Sequence, residues 1–185
     1  MKKYLAAALF LLAFSLANAE GQATRLVQPK GTANDLKLAE LKKKEGLLAK
    51  FSGQTWISGT FVVQWPAGAS AMAYKTPDYK LIPDSASTSK LPHFIISDPP
   101  YKNSYKVKDI DIQNGEEALR LTFSAELAKR ILERKTDSIR VTGRFLIESY
   151  VVGVECDAPW ANANLVKADL PDQLAKVHQK VPEGC

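Results

Sequence analysis

Hydrophobic and polar positions along this chain change period from block to block, and the clearest succession covers residues 118–147. Leu119, Leu121 and Phe123 alternate with Arg120 and Thr122, the spacing of a strand with one buried face. Ser124 stands where an N-cap belongs, and Glu126 puts a negative charge near the positive end of a helix dipole. Leu127, Ala128, Ile131 and Leu132 then recur at spacings of three and four, which predicts a helix over 124–135. A helix of about three turns does not stand alone in water, so its apolar side must lie against a sheet. Ile139, Val141, Phe145 and Ile147 alternate again, interrupted by Gly143, and a glycine inside a strand marks a bulge or a tight bend.

Residues 56–65 read as a long strand upstream. Ile57, Phe61, Val63 and Trp65 share one face, Trp56, Ser58, Thr60, Val62 and Gln64 the other, with Gly59 at a second bend. Shorter strands are expected over 93–97 and, more weakly, 107–112. Another covers 150–156 after a turn at Glu148-Ser149, and 162–166 is expected as its continuation past Asp157-Ala-Pro-Trp160. Asn34 or Asp35 caps an expected helix reaching about Lys50, with Leu38, Leu41 and Leu48 on one face and Lys42, Lys43 and Lys44 on the solvated side. Residues 76–90, rich in Pro, Asp and Ser, read as a loop, and 171–181 as a weak terminal helix.

Residues 1–19 have the build of an export signal: Lys2 and Lys3, an apolar run from Leu5 to Leu16, and Ala17-Asn18-Ala19 as the cleavage site. The run is shorter than the roughly 20 apolar residues a spanning helix needs. The expected product is a periplasmic chain of 166 of the 185 residues, without an integral membrane segment and long enough for one domain. The whole chain carries 25 Lys and Arg against 20 Asp and Glu; losing Lys2 and Lys3 leaves 23 against 20, or +3. That balance, with no basic stripe, argues against a nucleic-acid partner. Cys156 and Cys185 are the two cysteines, 29 positions apart. In an oxidising compartment an even count favours a structural disulfide, contributing about 3–4 kcal/mol by chain entropy; a redox pair would need closer spacing.

Reactive groups are scarce. His93 and His178 are the only histidines, so no zinc site is expected, and Gly68-Ala-Ser70-Ala-Met72 lacks the second glycine of a nucleophile elbow. Asp109 and Asp111 project from one strand face, where a solvated edge is the plainer reading than a cation site. Asp98-Pro-Pro-Tyr101 matches the tetrapeptide of amino-group DNA methyltransferases by chance, since the glycine-rich cofactor loop is missing. Several aromatic residues fall near strand ends. Their planes and polar tips suit sugar or protein contacts, although packing over the ends of a sheet is the plainer role for most.

The order of elements over 56–166 resembles an OB-fold: a long bent first strand, a second and third, a helix, then two more strands. Residues 119–147 carry the likeness. Ile57-Ser-Gly-Thr-Phe61 and Val141-Thr-Gly-Arg-Phe145 are similar to strand segments of small exported OB-fold proteins of unknown function. The resemblance implies a mainly β chain with flanking helices: a five-stranded OB-like barrel over 53–185 with a helix between strands three and four, preceded by an arm and helix over 20–52. It also implies a ligand face on strands two and three, between loops near 65–70 and 148–151. Trp65, Tyr74, Tyr150 and Trp160 are then the candidate ligand contacts. The expectation is a non-enzymatic periplasmic binding protein without cofactor or metal, its partner a protein or an envelope glycan. The alternative is a small envelope hydrolase using carboxylates such as Glu116, Glu117 or Glu155, which would have to converge in one cleft.

Overall fold

The computed structural model describes residues 23–28, 36–43, 46–66, 75–98, 101–171 and 176–179. The expected signal segment, Tyr74 and Cys185 lie outside them. The elements are β1 (Ala23–Val27), β2 (Lys37–Lys42), β3 (Leu47–Ser52), β4 (Gln54–Gln64), β5 (Asp78–Pro83), α1 (Ser85–Lys90), β6 (His93–Asp98) and β7 (Tyr101–Tyr105). There follow β8 (Ile110–Ile112), α2 (Gly115–Thr122), α3 (Ala125–Leu132), β9 (Thr136–Glu155), β10 (Ala158–Asp169) and β11 (Lys176–Gln179). The chain is mainly β with few helices. Among the described residues no helix is long and apolar enough to cross a membrane.

β9 is the spine. Its 20 residues pair with β4 from Gln54↔Glu148 to Gln64↔Ser138, and then with β3 from Lys50↔Val151 to Leu47↔Val154. Its other edge pairs with β10 from Ala158↔Glu155 to Asp169↔Arg144, and with β11 from Lys176↔Arg140. β4 also pairs with β5, β5 with β8, and β8 in parallel with β10, so the pairings β4–β5–β8–β10–β9–β4 close a ring of strands. β2 extends the sheet beyond β3, while β1, β6 and β7 form a separate antiparallel sheet.

The interior of the ring holds Ile57, Phe61 and Val63 from β4, Leu81 from β5, Ile110 and Ile112 from β8, and Ala161, Ala163 and Leu165 from β10. β9 adds Ile139, Val141, Phe145 and Ile147, each side chain removed from water contributing roughly 1.5–3 kcal/mol. The two glycine-bearing segments pair with each other, Ile57↔Phe145, Gly59↔Gly143 and Phe61↔Val141. A Cβ on Gly59 would strike the carbonyl of Ile82, and one on Gly143 would crowd Asp169 and Leu170, so the sheet curls where two side chains are missing. α3 runs as expected: the Ser124 hydroxyl accepts from the Leu127 N–H at 3.3 Å and Ile131 is fully buried, although Leu132 stays exposed.

Other expectations give way. Residues 118–123 are not a strand: all but Phe123 belong to α2, whose buried positions Gly115, Ala118, Leu119 and Thr122 follow helical spacing and leave Leu121 in solvent. Glu116 and Glu117 occupy its first turn, and Phe123 packs over Phe61 at 6.1 Å. The helix expected up to Lys50 is the β2–β3 hairpin. Gly46 sits beside its turn at φ 118°, and Ala49 and Phe51 alternate inward, an arrangement won by pairing with β9. Residues 76–90 contain β5 and α1, the latter capped by Asp84, which accepts from the Ser87 N–H at 2.7 Å. The terminal segment expected to be helical holds β11 instead.

The turn expected at Glu148-Ser149 is a bulge within β9. Ser149 has φ 53°, and the inward positions pass from Phe145 and Ile147 to Tyr150 and Val152 across it. The chain reverses later, at Cys156-Asp157, both at positive φ (46° and 60°) as a two-residue hairpin turn prefers. The loop joining the last two ring strands therefore lies at 156–157, not near 148–151.

Candidate binding cleft between two hairpin tips

Once the turn is placed at 156–157, register dictates the site. Trp160 on β10 faces Gly153 on β9, Gly153 faces Leu48 on β3, and Leu48 faces Lys42 on β2. The four residues form one cross-strand row on one face of the sheet, the even-numbered positions of β9 here pointing inward. Gly153 makes the row concave. A Cβ there would collide with the Trp160 indole, so the ring lies over the bare backbone of β9. Lys42, Gly46, Leu47, Leu48, Val154, Glu155 and Trp160 line a cleft of about 340 Å3, within the size range of small ligand sites. Its floor is aliphatic and one wall is aromatic. Glu155, exposed at the tip of the β9–β10 hairpin, supplies a carboxylate.

On the β2 side one acid is shared between two lysines. Glu40 takes Lys50 at 2.8 Å across the hairpin and Lys42 at 3.4 Å along the strand, and the Lys50 hydrogen bond, with Lys42 behind it, holds the Glu40 carboxyl below the usual range. No ion pair reaches Glu155 among the described residues.

The other sequence candidates are placed elsewhere. Trp65 follows β4 beside α3. Its indole N–H donates to the Ile131 carbonyl at 2.6 Å, a second donor on an oxygen that already accepts from the Arg134 backbone N–H at 3.1 Å, and the Arg134 guanidinium lies 3.9 Å from the ring centre. Tyr150 is fully buried, tilted against Phe51, and its hydroxyl donates to the Pro92 carbonyl at 3.2 Å, tying β9 to the segment that enters β6. Burial pushes its phenol well above the ordinary value. Of Trp65, Tyr150 and Trp160, only Trp160 lines the cleft, and Tyr74 lies outside the described residues.

The remaining polar candidates have structural partners. Lys80 stands 3.7 Å from both Asp109 and Asp111, a cation already supplied by the protein. His93 is buried, with Nδ1 3.1 Å from the Leu91 carbonyl oxygen. No group of three or more His, Cys, Asp and Glu comes together among the described residues. Glu116 pairs with Arg120 at 3.3 Å. Glu117 accepts from the Asn114 amide, which also clamps both backbone groups of Leu165 and so fixes α2 against β10. Neither acid lines the cleft that contains Glu155. Cys156, exposed in the turn, adjoins Glu155, and its expected disulfide partner Cys185 lies outside the described residues.

Composition and pattern singled out Trp160, and Glu155 only as a candidate hydrolytic carboxylate, but not Gly153, Leu48 or Lys42 as part of a site. The available signal was the glycine at 153: in a hairpin turning at 156–157 it must face Trp160. Comparisons with protein-family models, curated proteins and solved structures returned no match.

Proposed function

We propose that this chain is an exported, non-enzymatic binding protein with an OB-type barrel, and that its ligand enters the cleft beside Trp160. Support for the barrel type is the ring of strands, in which a long bent first strand, two further strands, a helical segment and two more strands follow the chain order of an OB-fold. Support for export is the Lys2-Lys3, apolar-run and Ala17-Asn18-Ala19 succession. The observation that carries the binding reading is the cross-strand row Trp160, Gly153, Leu48 and Lys42. It holds an aromatic plane over bare backbone beside an aliphatic floor and a carboxylate. The partner is a protein or an envelope glycan.

The test is a comparison of the mature chain with its Trp160→Ala variant, each immobilised and exposed to periplasmic proteins and, separately, to solubilised envelope glycan. Retention by the wild type and loss by the variant is the expected result. Equal retention by both would move the binding surface away from the cleft.

A further inference from the structure

We infer that the cleft takes a cationic side chain, an arginine or lysine presented by a partner protein. The inference rests on the binding reading above and narrows its two partner classes to one. Three features select a cation. Glu155 is an exposed carboxylate at the cleft wall that no cation among the described residues pairs with. Trp160 beside it is pinned over Gly153, and an indole is the best aromatic partner for a cation. Leu48, on the same face as Trp160, supplies an aliphatic surface against which the methylene stem of a long basic side chain can lie.

Lys42, the other charge of the lining, does not stand against this. It sits on β2, two strand spacings or roughly 10 Å from β9, and its ammonium is drawn to Glu40 at 3.4 Å. A carboxylate ligand drawn by Lys42 would meet the negative Glu155 across a cleft of only about 340 Å3. The position of the cleft favours a protein as the source of the cation. It opens between the tips of two hairpins, at Gly46 and at Glu155, where a side chain standing on another surface enters end-on.

The experiment titrates the mature 15N-labelled chain with blocked peptides containing arginine or, as the neutral isostere, citrulline, and with spermidine and a chito-oligosaccharide. The readouts are the Trp160 indole N–H and the Gly153 amide. The arginine peptide should shift both saturably and the citrulline peptide should not. Raising salt should weaken the shift, and Glu155→Gln and Trp160→Ala should each weaken binding at least fivefold. Both substitutions lie at the surface, and an unchanged amide spectrum elsewhere verifies folding. Equal binding of citrulline, or full affinity in Glu155→Gln, overturns the cationic assignment. Spermidine matching the arginine peptide overturns the protein source. Shifts with the oligosaccharide alone would end this inference and leave the binding reading intact, whereas a cleft silent to every probe would end both.

Discussion

Trp65 and Trp160 each stand near the end of a long strand, the first where β4 runs out beside α3, the second on β10 just past its hairpin. Both are half-buried indoles with a cation or an acid nearby. Yet at the α3 end every feature of the ring is engaged: its N–H donates to the carbonyl of Ile131 and its face carries Arg134. At the hairpin end the indole rests on Gly153, borders a cleft, and has Glu155 as its charged neighbour. An aromatic side chain with satisfied polar atoms holds a fold together. One laid over a glycine at the rim of a depression is the feature on which the proposed binding role rests.

The largest effect that would break this contrast is at the α3 end. Trp65→Ala should cost about 3 kcal/mol of unfolding free energy, a truncation in a half-buried setting that also loses one hydrogen bond, while leaving the Trp160 indole N–H resonance unchanged. Urea unfolding followed by circular dichroism measures it. Trp65→Phe keeps most of the packing and should lose about 1 kcal/mol, the worth of one hydrogen bond. If Trp65→Ala unfolds at the wild-type midpoint but loses ligand, the two ends have exchanged roles.

How much of this was readable beforehand follows from which forces act locally. β4 and the first half of β9 announced themselves because Ile57, Phe61 and Val63, like Ile139, Val141 and Phe145, alternate over a face that is uniformly buried. The Ser124 cap and the Ile131 side of α3 were equally plain, being decided within one turn. α2 was misread because Leu119, Leu121 and Phe123 fit a period of two as well as Ala118, Leu119 and Thr122 fit a helical one. Only the sheet beneath chooses between them. The β2–β3 hairpin failed for the same reason, its strand state coming from pairing with β9 some hundred residues away. The site was half legible. Aromatic identity picked out Trp65, Tyr150 and Trp160 together, but burial separates them, and burial is a property of the register.

Tyr150 offers the next test, since it was grouped with Trp160 and belongs to the core. Burial raises its phenol pKa, and the same cause, with Glu116 next, raises that of Tyr79. A raised folded-state pKa leaves stability complete below the unfolded tyrosine value of about 10 and lost as pH climbs beyond it, because the unfolded chain ionises first. Thermal melts from pH 8 to 11 should therefore show a falling alkaline limb. Tyr150→Phe should cost about 1 kcal/mol at pH 8 through the lost bond to Pro92, and it should flatten that limb. An alkaline limb as steep in the variant as in the wild type would mean that Tyr150 reaches solvent.

The cysteines sharpen the same contrast between ends. Cys156 belongs to the hairpin end, whereas β11 runs from Lys176↔Arg140 to Gln179 beside Thr136, away from it. Six residues remain after Gln179, a reach of at most about 20 Å. β9, which separates Thr136 from the Cys156 turn, is 20 residues long, roughly 66 Å if fully extended. A Cys156–Cys185 bridge and the β11 register therefore pull against each other. With β11 in place, Cys156 should react with a thiol reagent in the native, unreduced protein, as mass spectrometry would count. A chain that takes up no label until reduced would mean that β11 leaves β9.

The smallest effect on stability is expected where the effect on binding is sharp. In Gly153→Ala the three atoms nearest the new methyl all belong to the Trp160 indole, a side chain at the rim. The backbone of β9 keeps its pairing to β3 and β10, so the unfolding midpoint should move by less than about 1 kcal/mol. The indole, however, can no longer lie over the strand. Its indole N–H resonance should shift toward that of a solvated tryptophan and binding should be lost, with the Trp56 and Trp65 indole signals serving as internal controls. Were the variant instead several kcal/mol less stable with binding retained, Trp160 would be a packing residue like Trp65, and the two ends of the sheet would no longer differ.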